Sequence, residues 1–177
     1  MTSKLADAYL RNIVRTYRTY KEMAEKAIDQ VRSEEDLNRE LDENSNSIAI
    51  IVKHMSGNLR SRFRDFLTSD GEKPDRNRDS EFESEKPPTR EQLQRWWNEG
   101  WQIALSSIEA LSADDLERTV RIRGDEMLAV EALNRSVTHA AYHVGQIVYL
   151  ARYFASSDWK TLSIPKKERT SDAASRH

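Results

Sequence analysis

The sequence predicts an all-α protein: a four-helix bundle with a long loop between its second and third helices. Three observations point there. Helix breakers are confined to a few places, with no Gly before Gly57, no Pro before Pro74, and Pro74, Pro87 and Pro88 crowded into one stretch. Between the breakers, apolar residues recur at alternating steps of four and three, the period of a single buried helix face. Charge is dense but balanced, 28 Lys and Arg against 30 Asp and Glu, which suits long solvated helices better than a disordered chain.

Helix 1 follows from Ala6, Leu10, Ile13, Tyr17, Tyr20, Ala24, Ala27 and Val31, and a polar break from Ser33 to Asp42 ends it. Helix 2 starts at a cap on Asn44 or Ser45 and runs to about Leu67 through Ile48, Ile51, Val52, Met55, Leu59, Phe63 and Phe66. Gly57 lies inside it at a cost of about 1 kcal/mol relative to Ala, which close approach of another backbone would explain. Residues 68–88 read as a charged, structureless loop, long enough to suggest a functional role.

Helix 3 begins at Thr89, spaced from Gln92 as in a capping box. Its stripe is Leu93, Trp97, Ala104, Ile108 and Leu111, widened by Trp96 and Trp101. Thr119 to Arg123 alternates apolar and polar residues and predicts a short extended piece. Helix 4 starts between Glu126 and Val130 and ends near Ser156, with Leu133, Val137, Ala140, Val144, Ile147, Ala151 and Phe154 inward. The bundle domain spans 1–160, and 161–177 is a polar C-terminal tail that carries His177, to which no role is assigned.

Composition narrows the chemistry. The absence of Cys excludes disulfides, thiolate nucleophiles, iron–sulfur clusters and Cys-based zinc sites. Imidazole and carboxylate remain as ligands for a transition metal. A net charge of −2 provides no basic field for nucleic acid or an anionic membrane. No apolar run approaches the ~18 residues of a membrane span, and no signal-peptide core follows Met1. The expectation is a cytoplasmic protein that acts on a small molecule.

His139 and His143 stand one helical turn apart on helix 4. At about 100° per residue they fall about 100° and 60° to one side of Ala140, on the flank of the apolar stripe. On helix 2, His54 and Asn58 take the same positions relative to Met55, with Asp65 and Ser61 on that edge too. If the two helices are neighbours, three imidazoles converge at the border between core and solvent. Three neutral imidazoles suit a divalent transition metal with an open fourth position, and Gln146, one turn beyond His143, could orient a ring N–H or a water. Zinc, nickel and copper fit such a site alike. The competing interpretation is a solvated or hydrogen-bonded His pair beside the core.

Other signals are weaker. HExxH and ExxH are absent, against zincin proteolysis and a di-iron carboxylate bundle. Arg60, Arg62, Arg64, Arg76 and Arg78 read either as a solvated, charge-balanced surface or as an anion clamp for a carboxylate or phosphate, with Arg76 and Arg78 the candidates to bind substrate. Trp96, Trp97 and Trp101 fit core and interface filling better than base stacking, and their exposed flank hints at a dimer face. Asp65, roughly 16 Å along the helix from His54, either lines the same cleft or is a surface charge.

The stretch from His54 to Pro74 (HMSGNLRSRFRDFLTSDGEKP), the helix Thr138 to Leu150 (THAAYHVGQIVYL) and LSIP at 162–165 together resemble the DinB/YfiT-like superfamily. Within it they resemble a bacterial subfamily known only as a domain of unknown function. The resemblance implies a four-helix bundle that holds one divalent metal, often nickel or zinc, through His54, His139 and His143. It implies thiol-dependent S-transfer with a low-molecular-weight thiol such as bacillithiol or mycothiol for some members, no known activity for others, and a homodimer. Asp75 departs from the pattern, which has Trp after the proline.

Three functions follow in order of preference. The first is a metal-dependent transferase or hydrolase with the three-His site, in which a thiol or water is activated at the open position, the 68–88 loop covers the cleft and Arg76 or Arg78 grips an anionic substrate. The second is a non-catalytic dimeric bundle with a structural or sensory metal. The third is an interaction module without metal.

Overall fold

The computed structural model describes residues 4–83 and 86–164. Pro165 and the tail beyond it, with His177, lie outside the described residues. Helix α1 (Lys4–Ile28) buries Ile13, Tyr17, Ala24 and Ala27 along the predicted stripe. A short helix α2 (Glu34–Asn38) follows inside the expected polar break. Five residues with one apolar member are too few to show a period. What holds the turn is the Ser33 hydroxyl, which accepts from the N–H groups of Glu35 and Asp36, and the wholly buried Leu37.

Helix α3 (Ile48–Phe63) is capped by Ser47 rather than by Asn44 or Ser45, which close a turn on Asp42 instead. It stops short of Leu67 because Arg64 is extended and Asp65 takes a left-handed conformation at φ 52. Helix α4 (Arg90–Glu109) starts where predicted, with the Thr89 hydroxyl accepting from Gln92 N–H. Helix α5 (Ala129–Ala155) is anchored by the Glu131 carboxylate, which accepts from Leu128 N–H at 2.7 Å.

Ahead of α5, strands β1 (Thr119–Ile122) and β2 (Asp125–Leu128) form an antiparallel hairpin. Its two-residue turn, Arg123-Gly124, has φ of 59° and 81°, the positive pair that matches strand twist. Only β1 was legible in the sequence. It buries alternate residues, Val120 and Ile122, whereas β2 exposes nearly all of its own.

The four long helices form the bundle. α3 lies against α4 and α1 against α5, and α1–α4 and α3–α5 contacts close the square. The α3–α4 approach is backbone-close: a Cβ on Gly100 would sit 2.8 Å from Ser56 Cα. Tyr17 meets Phe63 and Trp101 edge-on, with ring centroids 5.9 and 5.7 Å apart. Trp97 and Trp101 are core residues and Trp96 is half-buried, so the exposed tryptophan flank expected as a dimer hint does not exist.

The described part of 68–88 is ordered by polar tethers, contrary to the structureless loop expected. The Asp70 carboxylate accepts from the N–H groups of Glu72, Arg123 and Gly124, which ties the segment to the hairpin turn. Lys73 N–H donates to Ser61 Oγ at 3.0 Å, and the Arg62 guanidinium donates to the Gly71 carbonyl. A 3-10 turn at Asp79–Phe82 then brings the chain back over α3. Among the described residues no helix is long and apolar enough to cross a membrane.

Candidate metal centre

Because α3 packs beside α5, the polar edges of the two helices meet. His139 Nε2 lies 3.3 Å from His54 Nε2 and 3.2 Å from His143 Nε2. One nitrogen from each ring falls within 4.8 Å of the others, a set that could hold a metal ion. His54 and His143 are buried and His139 is partly open to solvent.

The outer nitrogens have fixed partners. His54 Nδ1–H donates to Glu81 Oε2 at 2.8 Å, and His143 Nδ1–H donates to Gln146 Oε1 at 2.8 Å. Each bond places the ring proton on Nδ1 and leaves the Nε2 lone pair aimed inward. Both lone pairs then face His139 Nε2, where a single proton cannot serve the two. A cation satisfies all three nitrogens together. Burial, followed by the neighbouring imidazoles, pushes the His139 pKa down to about 3. Burial and His54 push that of His143 to about 4. Both rings are therefore neutral, with lone pairs free to ligate, across the physiological range.

Glu81 is itself built in. Arg76 donates to it through Nε at 2.8 Å and through Nη2 at 2.9 Å, and Arg76 also reaches Glu72 at 3.4 Å. Burial pushes the Glu81 carboxyl up, but the bonds from His54 and Arg76 outweigh this and hold it below the usual carboxylate range. Lys53 fixes the turn that carries Glu81 by donating to the Ser80 and Glu83 carbonyls at 2.5 and 2.7 Å. Gly57 makes the approach possible, since a Cβ there would collide with Glu81 Oε1. The glycine thus accommodates a carboxylate, not the neighbouring backbone expected from sequence.

The remaining candidates scatter. Arg76 turns inward with its side chain only 5% exposed, so the guanidinium expected to clamp a substrate anion holds the protein's own Glu81 instead. Arg78 stays exposed over the Phe82 ring, 5.1 Å from its centroid. Asn58 is buried one turn from His54 and makes no hydrogen bond to the triad. Asp65, beyond the end of α3, is a surface residue away from the cleft. Arg60 pairs with Glu99 at 3.3 Å, Arg62 is buried against Glu72, and Arg64 pairs with Asp75.

In front of the triad lies a cavity of about 480 Å³. Phe63, Phe66, Phe82, Ile122 and Tyr142 give it apolar walls, and Arg62, Arg78, Arg123 and Arg135 give it positive charge. No carboxylate lines it among the described residues. Arg62 and Arg123 are engaged with Glu72 and Arg78 lies 4.0 Å from Asp79, which leaves Arg135 as the cavity arginine with no ion pair among the described residues. Glu81 and Arg135 were missed from sequence. Arg135 stands one turn before His139, so helical spacing alone could have found it, whereas Gly57 was the only local sign of Glu81.

A model of the family described as "Protein of unknown function (DUF1572)" matches residues 4–168. No curated protein matches the sequence. Among solved structures, a DinB-like protein of Bacillus subtilis, YjoA, matches with a TM-score of 0.64 and 15% identity, over 85% of this chain and 96% of that one. At that identity the likeness speaks to the fold.

Proposed function

This chain belongs to the DUF1572 family and has the DinB-like fold, and we propose that it is a metal-dependent enzyme acting on an anionic small molecule. His54, His139 and His143 would hold one divalent ion, with nickel or zinc as the candidates. The observation that carries this reading is the pair of Nε2 lone pairs, aimed inward by Glu81 and Gln146, that one proton cannot satisfy. When bound, the metal supplies Lewis acidity at its open positions and lowers the pKa of a thiol or water placed there.

The protein's own groups do the rest. Glu81 and Gln146 hold two rings in the ligating tautomer. Phe63, Phe66 and Phe82 give the cavity apolar walls beside the triad, which lower the local polarity and strengthen charge interactions next to them. Arg78 and Arg135 are placed to take a substrate carboxylate or phosphate. The resemblance to the DinB/YfiT-like superfamily makes thiol-dependent S-transfer the preferred reaction and hydrolysis the second; with no Cys in the chain, the reacting thiol would be a low-molecular-weight cosubstrate.

The test pairs elemental analysis of untagged protein with a screen of thiol consumption and hydrolysis. Substrates are offered with and without a carboxylate, to metal-loaded and to chelated protein. Turnover by the loaded protein alone, faster on the anionic substrates and weakened in Arg135→Gln, is expected. Equal rates for loaded and chelated protein would leave a structural or sensory metal as the better reading.

A further inference from the structure

A second cavity, of about 230 Å³, opens between α3, α4 and the segment 73–81 and shares no lining residue with the cavity at the triad. Its walls are strongly cationic. Lys53, Arg60, Arg64, Lys73 and Arg76 line it, against two carboxylates, Asp75 and Glu81. Both carboxylates are already taken: Asp75 by Arg64, and Glu81 by Arg76 and His54. Arg60 is paired with Glu99 outside the cavity.

The two lysines are different. Lys53 donates to the Ser80 and Glu83 carbonyls and Lys73 to the Asp70 carbonyl, and neither has a carboxylate partner among the described residues. Lys73 is only 7% exposed. A buried ammonium held by a neutral carbonyl is costly unless a counter-charge reaches it. Burial and the nearby Arg64 push the Lys73 pKa down, and Asp65 and Asp70 only partly offset this.

We propose that this cavity is a binding site for a small dianion, a phosphate group or a short dicarboxylate, seated against Lys73 and Arg64 with Lys53 at its other end. Two ammonium groups without a carboxylate partner among the described residues set the ligand's charge, and the volume confines it to a small molecule. The site stands on its own cations and does not depend on the metal reading.

The test is isothermal titration of the full chain, at low ionic strength, with inorganic phosphate and with succinate. Saturable binding of at least one is expected, and the preferred anion separates the phosphate source from the dicarboxylate. Lys73→Met keeps the side chain's length and should weaken that binding about tenfold or more. Arg64→Gln, at an exposed position, should weaken it too and stands in for Lys73→Met should that variant not fold. Asp75→Asn should tighten binding, because it removes a competing carboxylate and frees Arg64. Arg118→Gln, which lines neither cavity, should leave it unchanged. Absence of saturable binding of both anions, wild-type affinity in the Lys73 and Arg64 variants, or loss in Arg118→Gln would each overturn the proposal. None of these outcomes bears on metal content, so the two readings fail separately.

Discussion

Glu81 Oε2 lies 2.8 Å from His54 Nδ1, although 27 positions separate the two residues in the chain. The carboxylate is buried, bound by Arg76, and admitted only because residue 57 has no side chain. It sets the tautomer of His54 and so directs the lone pair of Nε2. A carboxylate–histidine pair of this kind raises the basicity of a ligating ring.

Glu81→Gln is expected to weaken divalent-metal affinity about 10–100-fold. Competition with a chromophoric chelator reads the affinity, and far-UV circular dichroism should show the helices intact. The neutral amide leaves Arg76 less well paired, so a loss of about 1–3 kcal/mol of stability should accompany it. Unchanged affinity would mean that Glu81 is a structural partner of Arg76 and nothing more.

Untagged protein should carry about one divalent ion per chain, the stoichiometry of a single three-imidazole site. His54→Ala, His139→Ala and His143→Ala should each lose it and keep the helical signal. If elemental analysis finds as much metal in His139→Ala as in the parent, the ligand set is wrong.

Acid should destabilise the metal-free protein in two stages. His139 and His143 have folded pKa values of about 3 and about 4, below the ordinary 6.5, so the unfolded chain binds more protons as pH falls below 6.5. Their contribution is therefore complete at neutral pH and lost progressively from about pH 6.5 toward the folded values of about 4 and about 3. Glu81, with its pKa held below the ordinary 4.5, adds a further loss below that value. Urea midpoints of chelated protein should fall between pH 7 and pH 5, and fall less in a His139→Ala, His143→Ala double variant. Equal pH slopes in the two proteins would contradict this account.

Two glycine variants should separate packing from site geometry. Gly100→Ala drives a Cβ to 2.8 Å from Ser56 Cα, backbone against backbone, and should cost about 1–3 kcal/mol of stability with metal affinity retained. Gly57→Ala meets only the end of the Glu81 side chain and gains about 1 kcal/mol of helix propensity in return. Its main effect should be on metal affinity, through displacement of Glu81 from His54. Thermal melts and chelator competition on both variants check the contrast; metal affinity that survives in Gly57→Ala would refute it.

The long helices were legible because each repeats its apolar period over several turns. The same regularity places His54, His139 and His143 on matching helix edges from their spacing alone. Helix α2 and strand β2 were not legible, since each is held by a cap or by pairing rather than by a periodic face. The order within 68–88 escaped for the same reason: Asp70, Glu72 and Glu81 find Arg123 and His54 at a distance, and no local pattern announces them.

The sequence by itself thus determined an all-α bundle, an imidazole-only set of candidate ligands on two helix edges, and the dependence of any thiol chemistry on a thiol from outside. Tertiary structure alone decided that α3 and α5 are neighbours, so that the edges meet. It decided that Arg76 faces inward onto Glu81 while Arg78 and Arg135 line the cavity, and that two lysines lining a second cavity have no carboxylate ion-pair partner among the described residues. The physical reason is range. Helix periodicity is a short-range property, written every three or four residues. The pairing of buried charges depends on which segments the fold brings within hydrogen-bond distance, and separations such as the 27 residues between His54 and Glu81 leave no trace in a local pattern.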